Sequence, residues 1–335
     1  MPVINGSTYV PPWFLANGHL QTLLPTMIRR VRGVAYQRER ITMPDNDFLD
    51  LDWARAGSRK LAVLAHGLEG DSKGHYILGM VKALVKRGWD AVAWNARGCS
   101  GEPNRVLRFT HSGATEDLQT VVTHVSSTGN YSEIAFFGFS LGGNLTLKYV
   151  GERGRELDRR IKAAVAFSVP CDLQSALLKL AQPANRIYMN RFLVTLRTKV
   201  RAMMRIAPGK IDDRGYEQMR TFKDFDDRYT APIHGFVDAE DYWRKCSCKP
   251  YLKNVQIPTL LVNARNDPFL ADACYPIEEA EANPNLHLEV PASGGHVGFM
   301  SFDRDGEYWS ETRAVSFLDS TSHELGDCAQ RESVP

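Results

Sequence analysis

Residues 138–142 read Gly138-Phe139-Ser140-Leu141-Gly142, a G-x-S-x-G pattern. The run before it, 134–137, is short and apolar, as a buried strand is, and Leu141-Gly142-Gly143-Asn144-Leu145-Thr146-Leu147 after it opens a helix. A serine on so sharp a strand-to-helix turn needs small neighbours. Gly138 and Gly142 meet that need, and Gly143 lets the helix pack closely. The hydroxyl is then pushed above the sheet at a helix N-terminus, where the dipole favours developing negative charge. The chemistry on offer is nucleophilic attack by Ser140 on a carbonyl carbon; the plainer alternative is a capping serine beside packing glycines.

A serine nucleophile needs a base, and the base needs an orienting acid. Among nine histidines, His296 stands in Ser293-Gly294-Gly295-His296-Val297-Gly298, just after the apolar run 286–290. A glycine-flanked histidine on a loop at a strand's carboxyl end is free to point into a cleft. His66 and His111 are its rivals, but His66 begins a different turn and His111 follows no strand. Asp267, in Asn266-Asp267-Pro268, lies four residues after the strand-like run 259–263, at the end of the strand where open α/β sheets place their ligands. Asp172, following the run 162–167, could reach the same histidine and stays open as a second choice for the acid. His66-Gly67-Leu68-Glu69-Gly70 follows the run 61–65. Its Leu68 N–H, with the N–H of Leu141 after the serine, is the expected pair of oxyanion donors.

Strand-like runs at 61–65, 90–94, 134–137, 162–167, 259–263 and 286–290 alternate with helical spacing at 76–85, 114–124 and 141–150. That alternation predicts an α/β fold with a mostly parallel sheet and flanking helices. Two further runs, 34–42 and 48–54, are joined by the turn-forming Pro44-Asp45-Asn46-Asp47. Residues 172–252 have no strand pattern and many helix formers, so they read as a helical cap inserted between two sheet strands. The core is then 33–171 and 253–320, residues 1–32 form an arm packed on it, and the polar stretch 321–335 reads as disordered. Within the cap, 186–205 has no acidic residue. At 100° per residue its Met189, Phe192, Leu193, Leu196, Val200, Met203 and Met204 share one sector, with Arg191, Arg197, Arg201 and Arg205 on another. Leu196, Val200 and Met203 are accordingly the expected acyl-pocket contacts, and the arginines suit transient contact with anionic or lipid surfaces.

Lys+Arg (41) and Asp+Glu (39) nearly cancel, so no global field favours nucleic acid. The six cysteines show no secreted-scaffold spacing, and the lone Cys246-Ser247-Cys248 lacks the further ligands a structural zinc needs. No metal or organic cofactor is expected. The first residues lack a basic segment followed by an apolar one, and no apolar run approaches the ~20 residues of a membrane span, so the expected location is the cytoplasm.

These segments together resemble the α/β-hydrolase superfamily, in which the triad follows the order serine, acid, histidine. More narrowly they are similar to its YheT-like branch, which includes the eukaryotic abhydrolase-domain proteins of types 1 and 3. The matching stretches are Pro12-Trp13-Phe14-Leu15-Ala16-Asn17-Gly18-His19-Leu20-Gln21-Thr22-Leu23, His66-Gly67-Leu68-Glu69-Gly70, Asn95-Ala96-Arg97-Gly98-Cys99-Ser100-Gly101, Gly138-Phe139-Ser140-Leu141-Gly142-Gly143-Asn144, Phe222-Lys223-Asp224-Phe225-Asp226-Asp227 with Thr230-Ala231-Pro232, and Gly294-Gly295-His296. The resemblance implies an α/β-hydrolase fold and a serine esterase or lipase with Ser140, Asp267 and His296 as triad, acting on a small or lipid-like ester of short to medium acyl chain. Acyl transfer by the same triad, or a catalytically silent scaffold, are the alternatives. Eukaryotic members of the branch carry an N-terminal membrane anchor; this sequence starts without one, which points to the soluble bacterial members. Arg97 suits either the rim of the site or an internal salt bridge, and the Asn17–Thr22 stretch has no role that spacing alone explains. Nothing in the sequence sets an oligomeric state.

Overall fold

The computed structural model describes residues 2–301 and 306–331, with side chains as far as Thr321. Among the described residues nine strands form one sheet: β1 (Val3–Ile4), β2 (Gln37–Thr42), β3 (Phe48–Ala54), β4 (Lys60–Ala65), β5 (Asp90–Asn95), β6 (Glu133–Phe139), β7 (Ile161–Phe167), β8 (Thr259–Val262) and β9 (Leu286–Glu289). Their spatial order is β1-β9-β8-β7-β6-β4-β5-β3-β2. The β2–β3 and β3–β5 pairs are antiparallel and the others parallel. The architecture is the α/β-hydrolase fold that the sequence predicts, with most strands starting or ending a residue or two away from the apolar runs.

The inner strands are buried on both faces, which is why they read as unbroken apolar runs. Successive residues enter opposite core layers. Val63 and Phe136 meet Leu118 and Val121 on one side; Leu64 and Phe137 meet Met80 and Leu84 on the other. The helices that supply these layers are α2 (His75–Lys86), α3 (Thr115–Thr128), α4 (Leu141–Arg153), α10 (Ile277–Ala282) and α11 (Trp309–Arg331). The last one continues past Thr321 to Arg331, where composition suggests disorder. Its start is anchored by buried Ala314, Phe317 and Leu318, and extending a nucleated helix costs little per residue. Residues 332–335 of that expected tail lie outside the described residues.

Between β7 and β8 the chain leaves the sheet and builds α5 (Leu173–Leu180), α6 (Arg186–Ile206), the short α7 (Phe222–Phe225), a π-helical turn at Asp226–Thr230, α8 (Ala231–His234) and α9 (Ala239–Cys246). These share an apolar cluster that includes Leu193, Val200, Met203, Tyr216, Phe225 and Trp243. The arm is more ordered than its Pro- and Gly-rich composition suggests. β1 pairs with β9, and α1 (Gly18–Ile28) is capped by Asn17, whose side chain accepts from His19 N and Leu20 N.

Candidate active site

The β6–α4 turn holds Ser140 at φ 53°, ψ −121°, a conformation that costs a non-glycine residue about 1–3 kcal/mol and persists only where the surroundings impose it. Here they do. Ser140 N donates to Phe167 O at 2.9 Å. A Cβ on Gly138 would lie 2.6 Å from Gly143 Cα, one on Gly143 would lie 2.7 Å from Val169 Cγ2, and one on Gly142 would strike the carbonyl oxygens of Ala65 and His66. The glycines are thus required by close approach of named neighbours.

Three loops from three strand ends converge above this turn. His296 Nε2 lies 2.8 Å from Ser140 Oγ, and His296 Nδ1 lies 2.8 Å from Asp267 Oδ2. Asp267 is fully buried, and its other oxygen accepts the Phe269 N–H at 2.8 Å. The Phe269 ring packs on the imidazole, centroids 4.3 Å apart. Asp172, the competing acid, instead caps α5 by accepting the Ser175 N–H at 2.8 Å. His66 is buried with Nδ1 on Gly67 O (2.7 Å) and Nε2 accepting Ala96 N–H (3.1 Å). Desolvation lowers its pKa to about 4, so it is neutral and structural. His111 packs against His234 in the cap, centroids 4.3 Å apart.

The 66–70 loop runs against the nucleophile: a Cβ on Gly67 would sit 3.2 Å from Ser140 Cβ. The Gly67 N–H is occupied by Tyr76 Oη (3.0 Å) and the Gly70 N–H by Gly67 O (3.0 Å). The N–H groups of Leu68 and Leu141 carry no such bond among the described residues, and both residues border the cavity over Ser140. Glu69 follows at φ 57°, its buried carboxylate 2.7 Å from Lys199 Nζ of α6. Lys199 also donates to Cys99 Sγ at 3.1 Å. Burial works to lower the Lys199 pKa, but Cys99 and Glu69 outweigh it and hold the ammonium charged. The loop is therefore tied to the cap.

A cavity of about 400 Å³ opens over Ser140 and His296, a size typical of small-ligand sites. Its apolar wall includes Leu177, Phe192, Leu196, Phe222, Phe225 and Phe269. Leu196 is where the sequence expects it. Val200 and Met203 are not on the wall; they are buried in the cap's own cluster. The reason is that α6 has two inward faces. Leu193, Val200 and Met203 pack on the cap helices, while Tyr188, Arg191, Phe192, Thr195 and Lys199 face the cavity. Apolar periodicity merges the two faces, placing Phe192 and Leu196 of the cavity side with the cap-facing residues, and misses Arg191, Thr195 and Lys199, which are polar or charged. Asp226 is also on the wall, inside the Phe222–Asp227 stretch. Burial pushes its pKa up to about 7 against hydrogen bonds from Thr230 Oγ1 (2.6 Å) and Trp243 Nε1 (2.7 Å). Arg97 lies away from the cavity, buried between Asp117 (2.9 Å), Asp47 (2.8 Å) and Asp45 (2.9 Å). Among the described residues no three His, Cys, Asp or Glu side chains gather as metal ligands, and no helix is long and apolar enough to cross a membrane.

Residues 62–303 match the family model of the alpha/beta hydrolase fold. The chain belongs to the α/β-hydrolase family. This hydrolase is 35% identical, over 94% of both chains, to YheT of Escherichia coli (strain K12), whose name gives it as an expected esterase. It is 33% identical to phospholipase ABHD3 of Homo sapiens, over 89% of its own length and 75% of that protein. Its place is the YheT-like branch. Among solved structures, the hydrolase superposes on the esterase Pf2001 of Pyrococcus furiosus with a TM-score of 0.58 at 18% identity, over 95% of this chain and 99% of that one, a likeness of fold.

Proposed function

We propose that the protein hydrolyses carboxylic esters through an acyl-enzyme on Ser140. The observation that carries this reading is the unbroken chain Ser140 Oγ–His296 Nε2 and His296 Nδ1–Asp267 Oδ2, 2.8 Å at each link. Ionised Asp267 holds the imidazole proton on Nδ1, which leaves Nε2 as an acceptor facing the hydroxyl. Attack on the ester carbonyl forms the Oγ–C bond as the proton passes to Nε2. The oxyanion is stabilised by the N–H groups of Leu68 and Leu141, and Asp267 stabilises the imidazolium. Nε2–H then protonates the leaving alkoxide as the C–O bond breaks. Water, deprotonated by the same nitrogen, releases the acid and restores Ser140.

The cavity wall argues for an apolar acyl group of short to medium length. Leu177, Phe192, Leu196 and Phe269 offer it hydrocarbon and aromatic contact, and about 400 Å³ limits its size. The names of YheT and ABHD3, an expected esterase and a phospholipase, support the same bond class. The test is a fluorophosphonate probe together with p-nitrophenyl esters of graded acyl length. Wild type should be labelled and turn over; Ser140→Ala should do neither. Equal labelling, or full turnover by Ser140→Ala, overturns the reading.

A further inference from the structure

The loop that carries His296 closes on itself through Phe299 N–H to Gly294 O (2.9 Å) but is otherwise held from outside. Its consecutive backbone N–H groups all end on side chains from elsewhere: Gly294 on Gln21 Oε1 (2.8 Å), Gly295 on Asn266 Oδ1 (3.0 Å), His296 on Thr22 Oγ1 (2.9 Å) and Val297 on Ser168 Oγ (2.8 Å). The loop is also strained. Val297 sits at φ 55° and Phe299 at φ 38°, and a β-branched residue in that region is a true outlier that surrounding contacts must impose.

Two of those four partners are neighbours on α1. Gln21 is completely buried, although it is a polar residue near the amino end. Its Oε1 accepts a second bond, from Asn266 Nδ2 at 2.9 Å, and its Nε2 donates to Leu15 O. Asn266 adjoins Asp267, so one glutamine side chain bonds both the loop of the proposed base and the loop of the proposed acid. Thr22 Oγ1 is fixed in turn by donating to Gly18 O at 2.7 Å. The helix lies so close that a Cβ on Gly295 would be 2.8 Å from Gln21 Cβ and from Gly18 O, and a Cβ on Gly18 would strike the Asn266 carbonyl. These contacts answer what the Asn17–Thr22 stretch is for.

We propose that Gln21 and Thr22 are positioning residues: α1 clamps the His296 loop to the Asp267 loop and so sets the imidazole between its acid and Ser140. The inference rests on the triad reading above and adds to it a part that acts through His296, although Thr22 also borders the cavity. The clamp acts through three hydrogen bonds to the two loops, from Gly294 N–H and Asn266 Nδ2 to Gln21 and from His296 N–H to Thr22, so its loss shifts His296 without removing any reacting group. A displacement of about 1 Å at a reacting centre can cost ~10² in rate.

The test uses the full-length protein with ¹⁵N-labelled histidine. The low-field proton resonance of His296 Nδ1–H reports its bond to Asp267 without any substrate. Gln21→Leu, of similar size, removes every side-chain bond of Gln21; Thr22→Val removes the acceptor for His296 N–H together with the bond to Gly18 O; Thr22→Ser keeps both. The expected result is that Gln21→Leu and Thr22→Val lose or shift the resonance and lower kcat about 10²-fold with KM little changed, and that Thr22→Ser recovers most of both. If Gln21→Leu does not fold, the Thr22 pair carries the test alone. Folded Gln21→Leu or Thr22→Val with native resonance and native kcat overturns the clamp. A Ser140→Ala protein that still turns over, beside a resonance that responds to Thr22→Val, would sink the serine reading while leaving the clamp on His296 standing.

Discussion

Replacing Asp267 by asparagine should lower kcat/KM by roughly 10⁴–10⁵, and the structure says why the loss is that large. In the native site one Asp267 oxygen faces His296 Nδ1 and the other accepts the Phe269 N–H at 2.8 Å. An asparagine satisfies Phe269 by turning its carbonyl there, which aims its NH₂ at the imidazole. Nδ1 then becomes the acceptor, the proton moves to Nε2, and Ser140 has no base. Flipping the amide restores the tautomer but opposes two donors, NH₂ and the Phe269 N–H, in a buried place, at about 1–3 kcal/mol. The flipped form also lacks the carboxylate charge beside the imidazolium, a loss of about 4 kcal/mol for charges ~4 Å apart at an effective dielectric near 20. Together these come to roughly 5–7 kcal/mol, or 10⁴–10⁵ in rate, in line with the serine-protease template. The assay is steady-state hydrolysis of the best p-nitrophenyl ester, with folding checked by thermal melting. Asp172→Asn is the control: it weakens the α5 cap by about 1 kcal/mol or less in stability and leaves the rate within about tenfold. A folded Asp267→Asn within about a hundredfold of wild type would refute the tautomer argument, which puts the smallest loss near 10⁴.

Leu196→Trp should fill part of the cavity and shift preference toward shorter acyl chains. Met203→Trp should overpack the cap cluster, lowering stability by about 1–3 kcal/mol while the ratio of rates on short and long esters stays put; a chain-length shift from Met203→Trp alone would reverse the assignment of the two faces of α6. Acid should destabilise the fold before carboxylates titrate. Burial lowers the pKa of His66, His75 and His234 to about 4 from 6.5, so their stabilisation is complete above pH 6.5 and is lost as pH falls toward 4. Asp226, raised to about 7 from 3.8, acts the other way, losing its contribution as pH rises through 7, but the histidines outnumber it. The melting temperature should therefore fall between pH 6.5 and 4, with proton uptake on unfolding; a flat profile there would mean these imidazoles are charged in the native state.

The features legible from sequence are those written in a few adjacent residues. The Ser140 turn is one: so sharp a strand-to-helix turn brings its flanking residues against the chain around it, so Gly138, Gly142 and Gly143 announce it. The inner strands are another, because burial on both faces leaves an apolar run with no alternation. Strand-end positions single out His296 and Asp267 in the sequence, yet Asp172 meets the same criterion. The assembled sheet gives them different partners, turning one carboxylate to Nδ1 and the other to a helix N-terminus. Tertiary structure alone also decided that Arg97 is an internal ion-pair hub, that Val200 and Met203 belong to the cap's own core, and that an amino-terminal helix grips two loops near the opposite end of the chain. The physical reason is range. Backbone conformation and one-sided burial impose rules on neighbours in sequence, and those rules leave a period or a motif. A hydrogen bond between Gln21 and Gly294 imposes nothing on the residues between them, so it leaves no pattern to read until the chain has folded.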